Sequence, residues 1–259
     1  MPDIEIDGAR IWYTAEGRDS APAVLLLHSL GTSHELWDEQ MPALRKSFRV
    51  IRYDMRGHGR SSVFADELTI EQLAGDAMAV LDAVGVPRAA VCGISIGGVT
   101  GIWLGQHASP RVKRLVLANT AARIGTSEGW STRMRTVREQ GMEQTASDAM
   151  LRWFTNEFRE RRPDVVARFE AIASSCPLES YIGACAALRD ADLRKDLHRI
   201  VAPTLVIAGS EDPSTTVADG KYLRDNFPNA ELEVLEAAHL SNVERSEEFT
   251  ELVTVFLKS

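Results

Sequence analysis

Val91-Cys92-Gly93-Ile94-Ser95-Ile96-Gly97-Gly98 is the stretch on which the reading of this chain turns. It contains Gly-x-Ser-x-Gly, entered from one apolar run and left through another. In that pattern the serine sits on a sharp strand-to-helix turn, with its hydroxyl pushed out above a sheet. The flanking glycines have a physical reason, because a side chain at Gly93 or Gly97 would meet neighbouring backbone in so tight a turn. Residues 89–92, Ala-Ala-Val-Cys, suit a buried strand. The apolar run from Gly98 to Gly105 predicts a helix that stops at Gln106-His107, before Ser109-Pro110.

Working outward, residues 4–6 and 9–15 alternate apolar and polar around Asp7-Gly8, which predicts a hairpin at a sheet edge. Residues 23–27 are continuously apolar, as in a parallel strand covered on both faces. A short helix is expected over 37–45 and a strand over 48–53. Thr69-Ile70-Glu71-Gln72 fits a capping box, and Leu73, Ala77, Val80, Leu81 and Val84 follow at helical spacing until Gly85 and Pro87. Residues 112–117 read as another strand. Strands alternating with helices imply a largely parallel, doubly wound sheet.

That rhythm stops between about Arg123 and Arg189. Helical stretches rich in Arg, Glu, Trp and Phe, punctuated by Gly141, Pro163 and Pro177, take its place. It resumes with a strand at 204–208, a helix at 218–227, a strand at 231–235 and an amphipathic helix at 247–257. The expected fold class is therefore α/β, with residues 1–122 and 190–259 forming the core and 123–189 a helical cap insert. Such a cap lies over the carboxyl ends of the strands, where ligands bind in open α/β sheets.

Composition narrows the partners. The 259 residues carry a formal net charge of −8, with 44% hydrophobic and 25% charged residues. The charge argues against nucleic acid and means that an anionic ligand would need a local arginine cluster. The three cysteines, Cys92, Cys176 and Cys185, match no metal or disulfide spacing, so no metal is expected and a reducing, cytoplasmic setting is the simplest reading. The N-terminal stretch lacks the features of a signal peptide. No run approaches the 18 apolar residues of a membrane span, so no membrane partner is expected.

A serine hydroxyl needs a base within hydrogen-bond reach, and the base needs an orienting acid. Of the histidines at 28, 34, 58, 107, 198 and 239, His239 follows the last strand, at its carboxyl end. Glu211 and Asp212 follow the preceding strand. Asp212, with its turn fixed by Pro213, is the preferred acid and Glu211 the second. Two backbone amides must hold an oxyanion. Ile96 follows the nucleophile at a helix N-terminus, and Leu30 lies in the loop after the strand ending near His28.

His28-Ser29-Leu30-Gly31, Asp54-x-Arg56-Gly57-x-Gly59-x-Ser61, Gly93-x-Ser95-x-Gly97, Gly209-x-x-Asp212 and the late His239 together resemble the α/β-hydrolase superfamily. The chain order that the resemblance implies is serine, acid, histidine: Ser95, Asp212, His239. Closer in, the run from Ala118 to Gly125, then Trp130 and Arg133, then Ala238 to Glu244, resemble 3-oxoadipate enol-lactonases of the protocatechuate branch of aromatic catabolism. That resemblance implies an enzyme without a cofactor, acting on a small anionic lactone through a serine acyl-enzyme. Trp130 and Arg133, three residues apart on one helix face, are then candidates to hold the carboxylate, and Trp153 is either lid core or a pocket wall in contact with substrate. Arg135 and Arg138 read as a solvated face. The competing readings are a carboxylesterase or a C–C bond hydrolase of ring-cleavage products on the same fold, and a ligand-binding receptor with an idle triad.

Overall fold

The computed structural model describes residues 2–259; Met1, which opens the N-terminal stretch read above, lies outside them. Eight strands form one sheet in the order β1-β2-β4-β3-β5-β6-β7-β8. β1 (Asp3–Ile6) and β2 (Ala9–Glu16) make the expected edge hairpin, turning at Asp7 and Gly8, both at positive φ. β2 pairs antiparallel with β4, and every later pairing is parallel. β3 (Ala23–Leu27), β4 (Arg49–Tyr53), β5 (Ala89–Ile94), β6 (Val112–Ala118) and β7 (Thr204–Gly209) are buried along almost their whole length. This matches their sandwiched position and the nearly continuous apolar sequence of β3, β5 and β7, while β4 and β6 carry Arg49, Arg52, Lys113 and Arg114 among their apolar residues. β8 (Ala230–Leu235) is the half-exposed outer edge.

Helices cover both faces. The expected single helix over 37–45 is instead a 3-10 turn at His34–Trp37 followed by α1 (Met41–Ser47). The Ser33 side chain caps the first, and Pro42, favourable only in a first helical turn, sets the start of the second. α2 (Ile70–Ala83) carries the Thr69–Gln72 capping box, and α3 (Ile96–His107) leaves the serine turn.

Between β6 and β7 the chain forms four helices: α4 (Ser127–Trp153), α5 (Asn156–Arg161), α6 (Pro163–Ser174) and α7 (Leu178–Asp190). Gly141, at φ 79° and ψ 176°, breaks α4 into two arms. α8 (Val217–Asn226), α9 (Ser241–Glu244) and α10 (Ser246–Lys258) complete the fold. Among the described residues no helix is long and apolar enough to cross a membrane.

Candidate active site

β5 delivers the chain to Ser95 at φ 57° and ψ −120°, a conformation that costs an L-residue energy and marks the turn as held in place by its surroundings. Those surroundings are tight. A methyl group on Gly93 would stand 2.3 Å from the Gly97 carbonyl oxygen, and one on Gly97 2.3 Å from that of Leu27. Thr120 Oγ1 donates to the Ser95 carbonyl at 2.7 Å, and Ser95 N–H donates to Ala118 O at 3.2 Å. Ile96 is the first residue of α3, so its amide has no partner inside the helix.

The loop after β3 faces this turn. Gly31, at φ 75°, donates its N–H to His58 Nε2 at 3.1 Å, and Met55 N–H donates to His28 Nε2 at 3.0 Å. Both rings must be neutral to accept these bonds. Burial does this first: it lowers the His28 pKa and, with the like charge of His28 behind it, holds His58 at about 3. The Leu30 amide next to Gly31 has no acceptor among the described residues.

The Asp-x-Arg-Gly-x-Gly-x-Ser motif is the buttress of this loop. Buried Asp54 accepts from His34 N at 2.6 Å and Arg60 N at 2.8 Å, while Arg56 forms a fully buried pair with Asp76. The motif is visible in the sequence, but its work on the Leu30 loop is a contact between segments that are distant in the chain.

Asp212 and His239 meet behind the serine. His239 Nδ1 donates to Asp212 Oδ2 at 2.7 Å, and both side chains are buried. Oδ2 also accepts from Thr215 Oγ1 at 2.8 Å and Asn119 Nδ2 at 3.0 Å, and Oδ1 from Ser214 N at 2.7 Å and Thr215 N at 3.1 Å. Burial opposes ionisation of Asp212. The charge and hydrogen bond of His239, then Asn119 and Thr215, overcome it and hold the carboxyl at about 2. Glu211 is exposed on the neighbouring turn position.

Because the folded pKa of Asp212 lies below the unfolded value of about 3.9, its stabilisation is complete above that value and is lost as pH falls toward 2. The difference in thermal midpoint between the native chain and Asp212→Asn should therefore shrink between pH 5 and pH 2. A difference constant over that window would contradict it.

A cavity of about 190 Å³ opens on these groups, lined by Ser29, Leu30, Ser95 and His239 from the core and by Trp130, Arg133, Arg152, Trp153 and Tyr181 from the cap helices. The Arg133 guanidinium lies 5.5 Å from the centre of the Trp130 ring and donates to the Tyr181 hydroxyl. The indole N–H is engaged elsewhere, donating to Ile124 O at 2.6 Å. Burial holds the Tyr181 phenol up at about 12 against the pull of Arg133, so the phenol stays neutral and gives that cation no ion pair. Arg135 and Arg138 are exposed, the latter paired with Glu179.

Arg152 is the residue that the sequence reading passes over. Its side chain makes no hydrogen bond or ion pair among the described residues. Burial first, and then the like charge of Arg133, lower its pKa. Nineteen residues of straight helix would separate Arg133 from Arg152 by about 28 Å; the break at Gly141 folds α4 so that both line one cavity. Gly141 is legible as punctuation, but the fold-back it causes is not. Asp148 on the same helix acts on both at a distance and pairs with neither, so two arginines against one carboxylate leave an excess of positive charge suited to an anionic ligand. Among the described residues no three His, Cys, Asp or Glu side chains group to hold a metal ion.

Comparison with known proteins agrees with this geometry. A family model for the alpha/beta hydrolase fold matches residues 22–246. 3-Oxoadipate enol-lactonase 2 of Acinetobacter baylyi is 43% identical over 246 residues, 95% of this chain and 92% of the relative. 3-Oxoadipate enol-lactonase 1 of the same organism is 38% identical over 97% of this chain and 94% of its own. The crystal structure of the enol-lactonase from Burkholderia xenovorans superposes with a TM-score of 0.97, at 40% identity, over the whole of both chains.

Proposed function

The chain belongs to the α/β-hydrolase family and groups there with the 3-oxoadipate enol-lactonases, and from that premise we propose that it opens 3-oxoadipate enol-lactone to 3-oxoadipate in the β-ketoadipate pathway of aromatic catabolism. The observation that carries this reading is the pair Arg133 and Arg152 on the wall of the Ser95 cavity, with no carboxylate partner. The lactone bears one carboxylate apart from its ring, and the pair would anchor it while the ring carbonyl faces Ser95. Residues 123–189 serve in this reading as the cap and 1–122 with 190–259 as the core. The three unpaired, buried cysteines are in keeping with a reducing cytoplasm.

The chemistry follows from the placement. Ser95 Oγ attacks the ring carbonyl as His239 Nε2 takes its proton, and Asp212 holds the resulting imidazolium in its orientation. The Leu30 and Ile96 amides receive the oxyanion. The ring C–O bond then breaks, and the departing enolate, stabilised by resonance, takes the proton from His239 and becomes the ketone. The leaving group is tethered, so the acyl-enzyme carries the whole product skeleton. His239 next removes a proton from water, whose oxygen attacks the acyl carbon, and Ser95 leaves with that proton. One lactone and one water give one open-chain oxo acid with a second carboxylate.

The test is turnover of the enol-lactone beside a neutral aryl ester. Breaking a buried charge pair costs about 2–5 kcal/mol, which is about 30-fold or more in rate. Arg152→Met should therefore lower kcat/KM for the lactone by at least that factor and leave the neutral ester nearly unchanged. Equal losses on both substrates would remove the carboxylate role. A native enzyme that turned over the ester and not the lactone would overturn the functional reading itself.

A further inference from the structure

Asn119 follows β6 and lies outside the lining of the catalytic cavity. It is buried, and among the described residues it is one of three non-glycine residues at positive φ, at 44°. Asparagine tolerates that region better than most residues, but the conformation still has to be held by its surroundings. What holds it joins three strand ends. Its backbone N–H donates to Ile207 O of β7 at 2.8 Å. Its side-chain Nδ2 donates to Asp212 Oδ2 at 3.0 Å and to Ala238 O at 3.1 Å, and its Oδ1 accepts from Ser241 Oγ at 2.5 Å.

These contacts have one geometric result. Ala238 and Ser241 flank His239, so a single amide grips the turn carrying the histidine and the oxygen that the histidine ring bonds to. Gly209 leaves room for this: a methyl group there would stand 3.0 Å from Asn119 Nδ2. The Asp212 carboxylate and the Ala238 carbonyl can only accept, so they fix which end of the amide faces them and leave Oδ1 to the Ser241 hydroxyl. We infer that Asn119, tied to the histidine turn through Ala238 and Ser241, is a positioning residue for the reaction, holding Asp212 Oδ2 on His239 Nδ1 and setting the angle at which the imidazole reaches Ser95. The inference rests on the reading of Asp212 and His239 as the acid and base of the proposed hydrolysis.

The titratable groups packed about this clamp are Asp212 from the β7 turn, His239 from the β8 turn and Glu244, whose carboxylate accepts from Ala238 N at 3.0 Å. The cap contributes Arg152, whose carbonyl accepts from His239 N–H at 3.4 Å. Asn119→Asp keeps the shape and the acceptor for Ser241 but places a second carboxylate beside Asp212. At 3.0 Å from Asp212 Oδ2 the two carboxyls cannot both ionise and share one proton, so the clamp holds only while that proton is kept, and kcat should fall by about 10-fold as pH rises and it is lost. Ser241→Ala, which removes the donor to Oδ1 and so loosens the amide's grip on the histidine turn, should lower kcat by about 10-fold or more with KM little changed, since small misplacements cost up to about 10² in rate.

A filler that only stabilised the fold would change the thermal midpoint and leave the pH dependence of kcat as it was. A native pH dependence of kcat in Asn119→Asp, with kcat of Ser241→Ala near that of the native chain, would overturn the inference. If Asp212→Asn and His239→Ala also kept full turnover, the triad reading would fall instead, so the two failures are distinguishable.

Discussion

Ser95→Ala is expected to lower kcat for the enol-lactone by about 10⁶-fold while the chain folds and unfolds as before. The size follows from the role proposed for the hydroxyl: without it no acyl-enzyme would form, and only the Leu30 and Ile96 amides and the cavity would remain to act on water. Those survive the change, so a residual rate above background should persist. Stability should hold because Ser95 Oγ has no hydrogen-bond partner among the described residues, and the turn is instead held by Thr120 Oγ1, Ala118 O and the glycine contacts. Single-turnover kinetics and a thermal melt decide it. Turnover within a few-fold of the native rate would falsify the serine mechanism.

Asp212→Asn is the second large effect, at about 10⁴-fold in kcat, the scale seen when the acid of such a triad becomes an amide. Here the loss has a specific origin. Besides His239, Oδ2 receives Asn119 and Thr215, and Oδ1 receives two backbone amides. An amide nitrogen at Oδ2 would meet Asn119 Nδ2 donor to donor and invert the His239 tautomer. At Oδ1 it would face the N–H groups of Ser214 and Thr215. Either orientation breaks the network. Glu211→Gln is the control: its side chain is exposed, and kcat should not change. If Glu211→Gln lost the activity and Asp212→Asn kept it, the acid would have been assigned to the wrong residue.

Much of this was legible before any coordinates. Strands β3, β5 and β7 announce themselves as apolar runs, the elbow as paired glycines about a serine, and the four helices between β6 and β7 as an interval where strand signals cease. Asp212 and His239 are locatable because each follows a strand, so topology alone carries them to the same end of the sheet. What stays hidden depends on pairs far apart in sequence. Arg152 looks like any charge on a polar helix until the break at Gly141 brings it beside Arg133. Asn119 stands in plain view after a strand, yet its partners are 93 and 119 residues away. The helix start at Met41 was missed for a local reason, since Pro42 outweighed the apolar pattern preceding it.

The end of α4 has a consequence for how such enzymes diversify. Arg152 O and Trp153 O accept the amides of His239 and Leu240, and Glu244 binds both Ala238 N and Thr155 Oγ1. The stretch that would choose the substrate and the stretch that carries the base are thus stitched together through main chain. A cap is therefore not an exchangeable cassette here. Grafting one from a relative with different specificity would import a new seat for the histidine, and a chimera that ignored residues 151–155 and 238–244 would trade selectivity against rate. New specificities on this scaffold should arise more readily by point changes on the inner cap wall than by replacing the cap.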